Sequence, residues 1–314
     1  MTSRFIACGL GAAACALILA GCATEPERPS RPIAAAPATR SAPPADRGLA
    51  SQASAFESFM RRARGIEPGF SGPSDVAQAL QTGASHEPRE LEAGMIAYAA
   101  MAALQEPRFV AGVRAERDRG ELARRLAADP RAALDLPGGE AAGARAAGAL
   151  YAQGASLSGE GEKVKRAAYT VQHQAWAKAK VPDASGRLSR VKRISAEGYR
   201  PSREDAAELQ TALAAGGRRG GGSSPVVARG VALAAMSVLG EEGRAHGLMS
   251  EPRTGSCLRI AKLNLYQCLA SAGPHYEDIY CLGQHAMIDP GQCVVEATRA
   301  PTRQVAMSKV SYRR

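Results

Sequence analysis

The sequence predicts an all-α protein, and three observations point there. From Leu49 onward Ala, Leu, Arg and Glu dominate, residues that keep most of their side-chain freedom in a helix or have none to lose. Apolar residues recur every three to four positions, not every second one. Runs of β-branched residues are scarce. About seven to nine helices are expected, in an irregular array that ends in a disulfide-stapled helical hairpin. Small residues stand in place of Leu on an inward stripe such as Val164, Ala168, Val171, Ala175 and Ala179, so the helices should approach closely.

Leu49–Arg64 reads as the first helix, with Ala55, Phe56, Phe59 and Met60 as its apolar edge. Gly65, Pro68, Gly69, Gly72 and Pro73 then predict an irregular connection. Ser85 has the chemistry of an N-cap for the next helix, with Glu87 and Pro88 both suited to its first turn. Leu91, Met95, Tyr98 and Ala102 recur at i, i+4, i+7 and i+11, and the other faces carry Ala and Met. That helix should be buried on more than one side.

After Glu106-Pro107, one helix to about residue 128 is expected from Phe109, Val113, Leu122 and Leu126, closed by Asp129-Pro130 and Leu136-Pro137-Gly138-Gly139. A longer helical stretch spans 140–180, bent or interrupted near Gly159 and Gly161, with Val164, Ala168, Val171, Ala175 and Ala179 as a packing stripe. Pro182 stops it. Residues 183–202 then read as a basic connection carrying Arg187, Arg190, Lys192, Arg193 and Arg200, either an anionic contact strip or a solvated loop. A short helix over 203–215 closes the main segment, 49–215. The Gly-rich stretch 216–225 lacks the Lys-Ser/Thr pair of a phosphate-binding loop and follows no strand, so it reads as a linker. Pro225–Leu239 is a helix with Val227, Val231, Ala234, Ala235 and Val238 inward, opening a C-terminal segment 226–298 that precedes a basic tail, 299–314.

The N-terminal end has a different character. Arg4 and an apolar run over 5–20 lead into Leu19-Ala20-Gly21-Cys22, too short and too rich in Ala and Gly for a spanning helix. This resembles the lipobox of bacterial lipoproteins. The resemblance implies a signal peptide over 1–21, lipidation of Cys22 and attachment to a membrane through acyl chains. Ala23, where Asp would signal retention at the inner membrane, implies the outer membrane, with the protein facing the periplasm. Residues 22–48, rich in Pro and Ala, read as an extended tether.

Removing the signal takes Cys8 and Cys15, and lipid consumes Cys22, leaving Cys257, Cys268, Cys281 and Cys293. Four cysteines in an oxidising compartment read as two disulfides. Residues 257–271 form a helix on the line Leu258, Ala261, Leu265 and Leu269, Gly273 ends it, and Pro274 opens the next, which Asp289-Pro290-Gly291 turns. Residues facing each other across an antiparallel hairpin have a nearly constant sum of numbers. Only the nested pairs Cys268 with Cys281 and Cys257 with Cys293 satisfy one register. The arrangement resembles the twin-cysteine helical hairpins in geometry, although their spacing is shorter by one or two residues.

Loss of Arg4 lowers the net charge from +10 to +9, a balance that favours anionic envelope neighbours or simply marks an Arg-rich solvated surface. Catalytic patterns are incomplete. His86-Glu87 lacks the second His of a zinc protease, since Glu90 stands there. Glu57-Ser58 resembles the Glu-Ser start of lytic transglycosylases, but no glycine-rich context follows. Gly-x-Ser-x-Gly is absent. Cys281 and His285 have the i, i+4 spacing of metal ligands, against which disulfide pairing is the stronger reading. Tyr266, Tyr276 and Tyr280 form either a recognition surface or packing for the hairpin. The reading that follows is a non-enzymatic envelope lipoprotein, contacting an envelope protein complex or the cell wall, with no catalytic residue, cofactor, metal or nucleic acid. The alternative is a wall-active hydrolase using Glu57 or Glu87 as general acid.

Overall fold

A computed structural model describes residues 48–300, apart from Gly198 and residues 218–222. Among the described residues the regular structure is helical, with one isolated bridge between Lys180 and Pro274 and no strand. The described residues form thirteen α-helices, more than expected, because several of the expected connections are themselves short helices.

The first helix, α1 (Leu49–Arg64), follows the periodicity and buries Phe56, Phe59 and Met60. What reads as a connection after it contains α2 (Pro73–Gly83), which opens on Pro73 and buries Val76, Ala79 and Leu80. Pro at the first helical position loses no hydrogen bond, so a residue taken as a breaker is a starter here. The N-cap of α3 (Pro88–Ala103) is Glu87, whose carboxylate accepts from the Glu90 N–H at 2.9 Å. Ser85 instead donates its hydroxyl to the Thr82 carbonyl at the end of α2. As its all-round apolar character predicts, α3 is buried on nearly every face, against α1, and against the later helices α6 (Gly139–Val171), α10 (Pro225–Leu239) and α11 (Pro252–Ser271).

The single helix expected before residue 128 is two, α4 (Pro107–Arg114) and α5 (Arg119–Ala128), because the Asp118 carboxylate caps a new start on the Glu121 N–H. α6 runs 33 residues without interruption. Gly161 does not break it, since a Cβ there would strike Met287 and Ile288 at 2.8 Å, so this glycine admits a neighbour. The stripe expected to continue to Ala179 ends at Val171, and α7 (Ala175–Lys178) is a separate turn.

The basic connection is mostly helix as well. α8 (Ala184–Ala196) is capped by Asp183 and buries Arg187, Val191 and Ser195 at i, i+4 and i+8. A capping box of Ser202 and Asp205 starts α9 (Arg203–Ala214), and Ser224 caps α10, which stops where Gly240 takes the left-handed region at φ 74°.

The hairpin is formed by α11 and α12 (His275–Cys281), and the Cys268–Cys281 and Cys257–Cys293 disulfides are nested as spacing predicts. Asp289-Pro290-Gly291 does not turn the chain. Residues Leu282–Ile288 widen into a π-helical segment and continue into α13 (Asp289–Ala297), with Pro290 in its first turn. A proline ring would clash with the carbonyl four residues before it in a regular helix, and the wider turn removes that conflict. This return limb packs along α6.

Candidate functional site

Cys22, the signal and tether over 1–47, and the tail over 301–314 lie outside the described residues, as do residues 218–222 of the Gly-rich stretch. Among the residues read as an anionic strip, Arg187 is a correction. It is buried, pairs with Asp278 at 2.5 Å, and also donates to the Leu269 and Ala272 carbonyls. Its role is to hold α8 against the hairpin tip. Burial pushes the Asp278 carboxyl up to about 6, against the pull of the Arg187 guanidinium. Arg190, Lys192 and Arg193 are exposed on α8, with Arg190 3.3 Å from Asp183 and Lys192 5.7 Å from the centre of the Tyr266 ring.

The two carboxylates weighed as general acids have separate fates. Glu87 is spent on the α3 cap. Glu57 is buried, with both oxygens 3.3 Å from Arg61 Nε, and burial raises its pKa while Arg61 and Arg64 oppose the rise. Arg61 also reaches Asp205 at 2.7 Å. Although burial works against it, hydrogen bonds from the Tyr199 hydroxyl and the Ser202 N–H bring the Asp205 carboxyl down to about 2. Cys281 is in a disulfide, and His285 Nδ1 lies 2.7 Å from Asp289. No cluster of three or more His, Cys, Asp or Glu is placed to hold a metal among the described residues.

A buried polar cluster escapes sequence reasoning. Lys262 Nζ donates to the Ala84 carbonyl at 3.0 Å and lies 3.3 Å from both His86 Nδ1 and Ser195 Oγ. Burial pushes the amine down to about 7, with Glu87 resisting. His86 falls well below its ordinary value, through burial and then the Lys262 charge. A Lys beside a Ser hydroxyl can activate a nucleophile. Ser195 Oγ, however, sits 2.9 and 2.8 Å from the Ala84 and Val191 carbonyls and is 3% exposed, so its proton is committed to the backbone. The available signal is position: Lys262 falls on the buried face shared by Leu258, Leu265 and Leu269.

Between the hairpin and the end of α6, a cleft of about 410 Å³ is lined in part by the Cys268–Cys281 disulfide. Tyr169 of α6 and Gln172 just beyond its end form one wall, and Tyr276, Glu277 and Tyr280 of α12 the other. The Tyr169 ring stands edge-on to Tyr280, 6.3 Å between centres, and Lys165 Nζ lies 5.9 Å from the Tyr280 ring centre. The Glu277 carboxylate accepts from the Gly273 N–H at 2.8 Å. Tyr276 and Tyr280 therefore do meet at one place, while Tyr266 lies elsewhere, beside Lys192 and Ser195. Tyr169 takes its position, from a helix more than a hundred residues upstream. A shallower groove of about 650 Å³ follows the outer disulfide along Ile260 and Asn264.

Comparison of the chain with known protein families, curated proteins and solved structures finds no match.

Proposed function

We propose that this chain is a non-enzymatic envelope lipoprotein, anchored through Cys22, that works as a periplasm-facing binding or scaffold component at the outer membrane. Its partner in this reading is the cell wall or an envelope protein complex. The location rests on the lipobox-like Leu19-Ala20-Gly21-Cys22. The binding part is carried by one observation, the tyrosine-walled cleft built over the inner disulfide, which has the size of a ligand site. Arg190, Lys192 and Arg193 supply an accessory basic face for wall carboxylates or phosphates.

Metabolic labelling with a fatty acid, followed by crosslinking in cells with the anchored protein as bait, tests both parts. Wild type is expected to take up label and recover wall fragments or an envelope partner above a soluble control, and Cys22→Ser to lose the label. Equal label in both refutes the anchor, and no recovered partner refutes the binding role. The second reading, a wall hydrolase, keeps one supporting observation, the desolvation of Glu57, which raises its pKa as a general acid requires. Glu57→Gln with unchanged function in cells would remove it.

A further inference from the structure

We propose that the cleft between α6 and α12 binds an uncharged glycan, specifically the pyranose rings of an N-acetylated amino-sugar chain. This deepens the binding role above and rests on it. A pyranose ring has two kinds of surface, flat C–H faces and a rim of hydroxyls, and the cleft offers a match to each. Tyr169 and Tyr280 present rings at 87° to each other, making an apolar corner for a sugar face. Gln172 brings an amide donor and acceptor to the wall. Ser271 is fixed with its hydroxyl near the Gln267 and Cys268 carbonyls, at 3.2 and 3.0 Å, which leaves oxygen lone pairs to accept from a ligand hydroxyl. Ala168, Ala272 and the disulfide make a floor of small apolar groups suited to an acetamido methyl.

Charge selects among ligands of this size. No Lys or Arg lines the cleft, and the ammonium beside it, Lys165, is already held between the Glu162 carboxylate at 4.0 Å and the Tyr280 ring, so an anionic ligand finds no free partner there. The carboxylate in the lining, Glu277, is engaged by the Gly273 N–H. An organic cation would find aromatic faces, but the Tyr280 ring already has the Lys165 ammonium as its cation partner. A neutral polar ligand with an apolar face remains. The disulfide fixes the α12 wall to α11, and the packing of α12 on α6 sets it against the other wall, so the cleft is formed beforehand and less entropy is lost on binding.

The test is calorimetric titration of the full chain in detergent with triacetylchitotriose, maltotriose and tetramethylammonium chloride. Saturable binding of triacetylchitotriose, weaker binding of maltotriose and none of the cation is expected. Tyr169 is 55% exposed, so Tyr169→Ala keeps the fold, which near-ultraviolet circular dichroism checks, and is expected to weaken binding about three- to ten-fold. Tyr169→Phe, which keeps the ring, should restore it. No saturable triacetylchitotriose binding, no response to Tyr169→Ala, or tighter binding of tetramethylammonium would each overturn the proposal. Sedimentation with purified wall sacculi separates it from the wider reading: equal retention of wild type and Tyr169→Ala overturns the glycan site while wall contact stands.

Discussion

Lys262 places its nitrogen among the Ala84 carbonyl, His86 and Ser195, with Glu87 and the Tyr266 hydroxyl nearby, where the charged form has lost its hydration. The consequence is a pH-dependent stability of definite sign. In the folded protein the amine loses its proton near pH 7, whereas in the unfolded chain it keeps it to about its ordinary value of 10.5. Between those limits the unfolded state holds more protons, so stability rises with pH, at up to about 1.4 kcal/mol per pH unit. His86 acts in the same direction below its ordinary 6.5, where acid protonates it only on unfolding. Urea unfolding across pH 7 to 10 should show this slope in wild type and a flatter one in Lys262→Met. The same slope in both proteins would mean that Lys262 keeps its charge inside.

At the level of elements, α6 is shaped by what packs on it. A Cβ on Gly154 would meet the Gly291 carbonyl at 2.6 Å and the Val295 nitrogen at 2.9 Å, and one on Gly161 would meet the Ile288 nitrogen at 2.9 Å. Backbone atoms cannot yield as a side-chain tip can. Gly159 faces open space. Crowded and open glycines in the same helix thus predict opposite outcomes. Gly154→Ala should destabilise by roughly 1–3 kcal/mol through overpacking, and Gly159→Ala should stabilise by roughly 0.5–1 kcal/mol through helix propensity. Thermal or urea unfolding of the two variants decides it, and a stable Gly154→Ala would contradict the close approach of α6 and α13. The π-helical segment on the same contact solves a spacing problem. Cys257 and Cys268 are eleven residues apart and Cys281 and Cys293 twelve. A turn closed by i→i+5 bonds takes in one residue more than an α turn, which restores the register of the outer disulfide.

Across the whole molecule, the two disulfides tie the C-terminal limbs into the unit that α6 and α3 centre. In the chain-entropy account, closing the inner loop, of sequence separation 13, contributes about 3 kcal/mol, and the outer, of separation 36, about 4 kcal/mol taken alone. Peptide mapping of the unreduced protein should yield fragments joining Cys268 to Cys281 and Cys257 to Cys293. Reduction should lower the unfolding midpoint, and it should also weaken any ligand of the cleft, whose floor the inner disulfide forms. Fragments joining Cys257 to Cys268 would overturn the hairpin.

The helical class, the starts of α1, α9 and α10, the all-round burial of α3 and the pairing of the cysteines were legible in the sequence by itself. Each depends on spacing along a short segment: a cap and its first turn, a 3.6-residue period, or one hairpin register. The long-range choices were made by the tertiary structure. A basic segment such as 183–202 reads as solvated until Asp278, Leu269 and Ala272 supply partners that bury Arg187. Lys262 lies on an apolar helix face, and its partners, the Ala84 carbonyl just after α2 and Ser195 of α8, are supplied only by the packing. Gly161 in α6 reads as part of a bend until the return limb packs on it. Tyr169 joins Tyr276 and Tyr280 only because α6 lies against α12. Local spacing carries information about a residue's own helix face, but which face meets which is fixed by how the helices close around one another.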